Sequence, residues 1–188
     1  MFMMPGSRIG RRRAPSGLVL LAQQSAISVA QLDFANFISP LYDEYEIELI
    51  GLVPATNGVN LTMRMSTDNG ATFISSGSYA YHYAGWNRFG SANGGADAGT
   101  EIRLTTSVIT NDTTGGVSGF MRLYDPVSKT RWKMVEGKIV TRVTGAGALE
   151  TDIFSGALNS TSEVNGLRFF FSSGNIVEGT VRIYGIAK

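Results

Sequence analysis

Apolar and polar residues alternate with a period of two along most of this chain. The cleanest run is Tyr42–Leu52, where Tyr45, Ile47 and Leu49 oppose Glu44, Glu46 and Glu48. A period of two places successive side chains on opposite faces, so this segment is a strand with one dry and one wet face. Val59–Ser66 repeats the pattern, with Leu61, Met63 and Met65 against Asn60, Thr62, Arg64 and Ser66. Ser78–Trp86 presents Tyr79, Tyr81 and Tyr83 on one side and His82 on the other. Leu18–Gln23, Ala26–Phe34, Glu101–Thr110, Val117–Tyr124, Arg131–Val143, Leu149–Ala157, Leu167–Phe171 and Gly179–Ile186 read as further strands. Turns are expected at Asn111–Gly116, Asp125–Thr130, Gly145–Gly147 and Asn159–Ser162, and Asn36–Leu41 is a connection stopped by Pro40. No segment carries a 3.6-residue period over three turns.

The C-terminal stretch offers two arrangements. Leu167, Phe169 and Phe171 share one face, as do Val177, Val181 and Ile183. In a hairpin, a two-residue loop at Gly174-Asn175 sets Phe171 opposite Glu178 and Phe169 opposite Thr180. A loop of odd length matches Phe169 with Gly179 or Val181, and that register is the expected one. The alternative is that the two strands lie in facing sheets and never pair. Phe89–Thr100 (FGSANGGADAGT) reads as a long glycine-rich loop. Many strands at spacings near 8–12 residues predict an all-β, jelly-roll-like β-sandwich over residues 17–188. Residues 1–16 lack either period, hold Pro5 and Pro15, and predict an extended basic N-terminal arm.

Composition narrows the function classes. The 188 residues carry 16 Lys and Arg against 15 Asp and Glu, so no bulk charge draws the chain to nucleic acid or membrane. The absence of cysteine removes disulfides, thiolate catalysis and the usual structural zinc sites. No run approaches the ~18 apolar residues of a membrane span. Arg11–Arg13 ahead of Gly17–Ala22 has the order of a signal peptide, but its apolar run falls short of the roughly 7–15 residues required, and export is not expected. Arg8, Arg11, Arg12 and Arg13 make the arm either a solvated end or a tether for an acidic partner surface.

Little catalytic chemistry is on offer. The single histidine, His82, has no nucleophile elbow or oxyanion loop near it in sequence. Glu44, Glu46 and Glu48 share a face at a spacing two glycosidase carboxylates would tolerate, yet three like charges in a row read more simply as a solvated face or a patch for a basic partner. Asp97, Asp112 and Asp125 fall in turns without a calcium-loop spacing. Exposed aromatics able to stack on sugar rings are sought at Tyr81, Tyr83 and Trp86. Tyr83, Trp86 and Asn87 are the candidate glycan or subunit contacts, with core packing the expected role of Tyr79 and Tyr81. No cofactor or metal is expected.

Two resemblances follow from particular residues. Ser66-Thr67-Asp68-Asn69-Gly70-Ala71-Thr72-Phe73 resembles the Asp box of sialidases and related propellers, with Phe73 where that family usually has Trp. The resemblance implies a folded turn in which Asp68 accepts backbone N–H bonds above a tucked aromatic, and no activity. Tyr42-x-x-Tyr45-Glu46-Ile47, Asp68-Asn69-Gly70, Ser78-Tyr79-Ala80-Tyr81, Phe171–Ile176 and Gly179–Ile186 together resemble small structural proteins of tailed bacteriophages and prophages. This likeness runs from about Leu20 to the end. It implies a non-enzymatic virion component, a capsid decoration or cement-type protein held by its arm and edge strands. Its implied partners are major capsid or tail proteins and further copies of itself, a trimer being the expected assembly, with no membrane and no nucleic acid. The competing expectation is a receptor- or glycan-binding sandwich on a tail or head fibre.

Overall fold

A computed structural model describes residues 17–145 and 147–187. The arginine-rich arm, with Arg8, Arg11, Arg12 and Arg13, lies outside them. The described chain is a jelly-roll-like β-sandwich of twelve strands: β1 (Leu18–Val29), β2 (Leu32–Ala35), β3 (Glu44–Pro54), β4 (Leu61–Ser66), β5 (Tyr79–Asn87), β6 (Gly90–Gly99), β7 (Ile102–Arg103), β8 (Val117–Tyr124), β9 (Lys133–Arg142), β10 (Leu149–Leu158), β11 (Gly166–Phe171) and β12 (Ile176–Ile186). Eight form one antiparallel sheet in the order β1-β12-β3-β8-β9-β10-β5-β6, and four form the other, β2-β11-β4-β7.

The two orders share a plan. β1, β12 and β3 are neighbours in the large sheet, and β2, β11 and β4 are neighbours in the small one. Three consecutive pairs of strands therefore cross the same corner of the sandwich side by side. This geometry overturns the expected odd-loop hairpin: β11 and β12 take the alternative arrangement and lie in facing sheets. Packing explains the preference, because Leu167, Phe169 and Phe171 on β11 then face Val181 and Ile183 on β12 across a common core, all of them buried. At the corner the ladder slips at Ile176/Glu178 and Glu178/Thr180. The slip buries Ile176 and turns Val177 outward, contrary to the simple alternation. Gly179 adopts φ 121°, and a Cβ there would lie 2.6 Å from the carbonyl oxygen of Gly51 on β3, so only glycine fits this bulge.

Three other segments depart from the periodic reading. Ala26–Phe34 is two strands, since Ser28 at φ 53° swings the chain from the large sheet into the small one. Glu101–Thr110 keeps only β7, and Leu104 and Ile109 are buried while hydrogen-bonding to Leu61 and Val59 outside any long ladder. The predicted glycine-rich loop is the edge strand β6, paired with β5 from Tyr79↔Gly99 to Asn87↔Gly90. Glycine is required here because aromatic rings occupy the space a side chain would fill. A Cβ on Gly94 would lie 2.6 Å from the Tyr83 hydroxyl, and one on Gly99 would lie 2.8 Å from the Tyr81 ring.

Aromatic side chains pair at several points of the core, and a long hydrogen-bonded side chain, Tyr79, crosses it. Phe34 meets Phe169 edge-on at 6.2 Å, and Tyr45 meets Phe37 and Tyr42 at 5.9 and 6.0 Å. Tyr79 reaches from β5 to the end of β4, where its hydroxyl accepts from the Met65 N–H at 2.7 Å and donates to the Ile74 carbonyl at 3.2 Å. Burial pushes its pKa up to about 12. The turn after β4 has the form the Asp-box likeness implies. Asp68 accepts from the Thr72 N–H at 2.8 Å and from the Thr72 and Ser66 hydroxyls, and Asn69 and Gly70 both have positive φ. Phe73 lies under the Arg168 guanidinium, 4.1 Å from its ring centre.

Candidate functional site

The outer face of the large sheet gathers exposed aromatic and titratable side chains into registered rows. Register sets one row as Glu46, Arg122, Glu136, Ser155 and His82, taken in turn from β3, β8, β9, β10 and β5. The next is Glu48, Phe120, Lys138, Ile153 and Ala84. On the other side, Tyr124, Met134, Ala157 and Ala80 align. Side chains on β10 and β5 are short here, whereas β8 and β9 carry Phe120, Arg122, Tyr124, Met134 and Lys138. A groove results along β10, floored by Ser155 and Ala157 and walled by β9 on one side and His82 and Asp97 on the other.

Two adjoining hollows of about 450 and 480 Å³ make up this groove, and they share His82, Glu136 and Ser155. Phe120, Lys138 and Ile153 close one end; Trp132 and Met134 close the other. A third hollow of about 370 Å³ continues past Trp132 to Asp125 and Arg131. Phe120, Trp132, Met134 and Ile153 are each about half exposed, at 47, 50, 54 and 46%. Apolar side chains clustered at that exposure on a sheet face mark a contact surface more often than scattered single ones do.

The glutamates on β3 have partners within the chain. Arg122 meets Glu46 at 3.3 Å and Glu44 at 3.8 Å, and Glu48 takes Arg182 at 3.6 Å and the Tyr184 hydroxyl at 3.0 Å. The basic counterpart expected for this patch is thus supplied by β8 and β12. Glu136 accepts from the Tyr124 hydroxyl, and this bond raises the tyrosine's pKa. His82 makes no side-chain hydrogen bond among the described residues, and no hydroxyl is aligned on it for attack. Its cross-strand neighbours are Ser155 and Gly95.

The three candidate contacts do not share a face. Trp86 points outward, 47% exposed. Tyr83 points into the sandwich, stacked on Tyr81 at 6.1 Å with the Arg103 guanidinium 4.8 Å from its ring centre. Asn87 is also inward, and its side-chain N–H donates to Glu150 at 2.8 Å. Asp97 lies in β6, Asp112 pairs with Arg142, and Asp125 pairs with Arg131 at 3.6 Å. Among the described residues no three His, Cys, Asp or Glu side chains are grouped to hold a metal ion.

A second polar cluster has no counterpart in the sequence reading. Glu150 and Asp152 occupy inward positions of β10, 2 and 0% exposed. Glu150 accepts from the Ser107 N–H at 3.0 Å and its hydroxyl at 2.8 Å, and Asp152 accepts from the Thr106 N–H at 2.9 Å. Arg103 donates to the carbonyls of Thr105 and Thr106, closing the same loop from its other side. Asp152 Oδ2, Thr106 Oγ1 and Thr141 Oγ1 are buried without a partner among the described residues. Burial pushes the Asp152 pKa up to about 6 against the lowering effect of the bond from the Thr106 N–H. This pair fixes the irregular chain after β7 onto the sheet; enclosed as it is, it offers a ligand no approach. No family model matches the chain, and neither a curated protein nor a solved structure matches it.

Proposed function

We propose that this chain is a non-enzymatic structural component of a tailed-phage virion, a capsid decoration or cement-type protein that assembles through β1 and its N-terminal arm. The observation that carries the reading is the character of β1. It is an edge strand of twelve residues, LVLLAQQSAISV, without a charged residue or proline. Leu18, Leu20 and Ile27 on it are 49, 52 and 84% exposed. Edge strands of proteins that stay single are blunted by charge, proline or brevity. An edge left long and uncharged supports pairing with another chain, and strand addition buries area without requiring a larger core. The motif likeness to phage structural proteins supplies the setting, and the arm that leads directly into β1 supplies a second contact. Symmetric self-association is the commonest outcome for such a chain, and we propose a trimer.

Two variants test this. Leu20→Lys with Ile27→Lys places charges on the edge while leaving the buried positions alone, and deletion of residues 1–16 removes the arm. Light scattering of the purified chain and its incorporation into particles are the readouts. The trimer is expected to become monomeric in the double variant, and both variants are expected to be lost from particles while their melting stays near that of the parent. Incorporation of both at parental levels would sink the proposal.

A further inference from the structure

We propose that the groove along β10 on the outer face of the large sheet binds a neutral polysaccharide chain. It lies across the sheet from β1, so it remains open when that edge is engaged, and its failure would leave the assembly reading untouched. Three observations converge on this ligand class.

The first is shape. Short side chains at Ser155, Ala157 and Ala80 leave a shallow trough between the wall of β9 and the edge strand. Phe120 is opposite Lys138, and Trp132, immediately before β9, is six residues ahead of Lys138. At about 3.3 Å per residue the trough runs roughly 20 Å between its two aromatic ends. A long, shallow trough open along its top suits an extended polymer better than a compact small molecule, which is ordinarily enclosed on most sides.

The second is the order of chemistry along it. Aromatic and apolar surface at Phe120 and Ile153 gives way to Glu136, Ser155 and His82, then to Met134 and Trp132. Sugar rings present an apolar C–H face and a rim of hydroxyls that donate and accept. Half-exposed aromatic planes flanking a mixed set of donors and acceptors match both surfaces at once.

The third is charge. Arg122 is satisfied by Glu44 and Glu46, and Glu136 already accepts from Tyr124. The other charged side chains of the groove are mixed, Lys138 lining one hollow and Asp97 the other, so neither sign dominates. A polyanion such as nucleic acid or an acidic glycan calls for a basic track, which this groove lacks. The side chains that remain available serve hydroxyl groups without demanding charge.

The test is electrophoresis of the full chain in native gels containing dextran, laminarin, mannan, galactan or hydroxyethyl cellulose, with heparin as the anionic arm. Retardation by at least one neutral polymer is expected. Trp132→Ala should weaken it at least tenfold. Ser155→Trp, which fills the floor, should abolish it, with the melting curve of each variant confirming the fold. Leu41→Ala, at an exposed side chain in the connection between β2 and β3, outside both the groove and β1, should leave it unchanged. No retardation by any of the five neutral polymers, retardation by heparin alone, or full binding by Ser155→Trp would each overturn the proposal. Loss of a concentration-dependent dimer in Trp132→Ala, with no sugar bound by the parent, would also overturn it and give the groove to a second copy.

Discussion

The two ends of the large sheet are covered in different ways, and the difference separates packing from polar fixation. At the β1 end, β12 and β3 face β11 and β4 of the small sheet, and the space between is filled by Phe34, Phe169, Ile47, Leu49 and Ile183. At the β6 end the small sheet has run out. β7 contributes two residues, of which Ile102 fills the space over Gly156 while Arg103 stacks on Tyr83. Beyond them the cover is irregular chain, held down by Glu150 and Asp152. A sheet of eight cannot be buried by a sheet of four. Here the surplus strands are covered by loop, whose backbone groups need acceptors that apolar side chains do not provide.

Phe169→Ala should produce the largest effect and test the apolar end. Phe169 is fully buried and in edge contact with Phe34, and truncating such a ring costs about 3–5 kcal/mol through lost transfer energy and the cavity left behind. Chemical denaturation measures it. A loss under about 1 kcal/mol would mean that the corner repacks freely and that the contrast between the ends is overstated.

Glu150→Ala probes the polar end at somewhat smaller cost. It leaves the Ser107 N–H and hydroxyl and the Asn87 amide without their acceptor, for about 2–3 kcal/mol. The signature is local. Amide exchange should accelerate at Thr106 and Ser107 while Leu167–Phe171 stays protected, whereas Phe169→Ala should lower protection throughout. Uniform acceleration in both variants would erase the distinction.

How much of this was legible in the sequence differs between the two ends for the same reason. Tyr45, Ile47 and Leu49, or Leu61, Met63 and Met65, alternate because one face meets apolar packing, and those faces are buried as read. β10 has no such regularity. Leu149 and Ile153 face out, 70 and 46% exposed, while Glu150 and Asp152 face in, and nothing in LETDIF distinguishes that choice from its reverse. The clamp depends on a loop some 45 residues away in sequence, so no local signal reports it. β6 was hidden for a related reason: its glycines suggest a flexible loop until the tyrosines packed over them are known. The outer groove was half legible. His82 was placed on the outer face, but Trp132, Glu136 and Ser155 join it only through register. Trp86, close to Tyr83 and Asn87 in sequence, is parted from both by the pleat.

Asp152→Asn should move stability in the favourable direction. The Asp152 pKa is raised, so the native state holds its proton more tightly than the unfolded chain. Stability is therefore greatest below the ordinary carboxylate value and declines as pH rises from about 4 through about 6. An amide cannot ionise, and its N–H₂ would stand where Oδ2 now lacks a partner. At pH 8 the variant should be more stable by about 1–2 kcal/mol, using 1.36 kcal/mol per pKa unit and allowing for a weaker acceptor at Thr106. At pH 4 the two proteins should melt together. A variant less stable than the parent at pH 8 would show that the charge itself is needed to hold the loop.

The same substitution at Asp68 should act in the opposite sense, with the smallest effect of the four. Asp68 sits in the exposed turn that leaves β4, and the Thr72 hydroxyl and N–H, with the Ser66 hydroxyl, pull its pKa down to about 2. Its stabilising contribution is present above the ordinary carboxylate value and is lost as pH falls from about 4 through about 2. Asp68→Asn should therefore lower the melting temperature modestly at pH 7, with the difference closing by pH 2. Water screens the turn and competes for its hydrogen bonds, which keeps the effect small. Burial without enough donors makes a carboxylate cheaper to protonate, and donors without burial make it cheaper to ionise. If Asp→Asn shifted both sites in the same direction at pH 7, donor number and burial would not be what separates the polar cover of the β6 end from the turn at the apolar one.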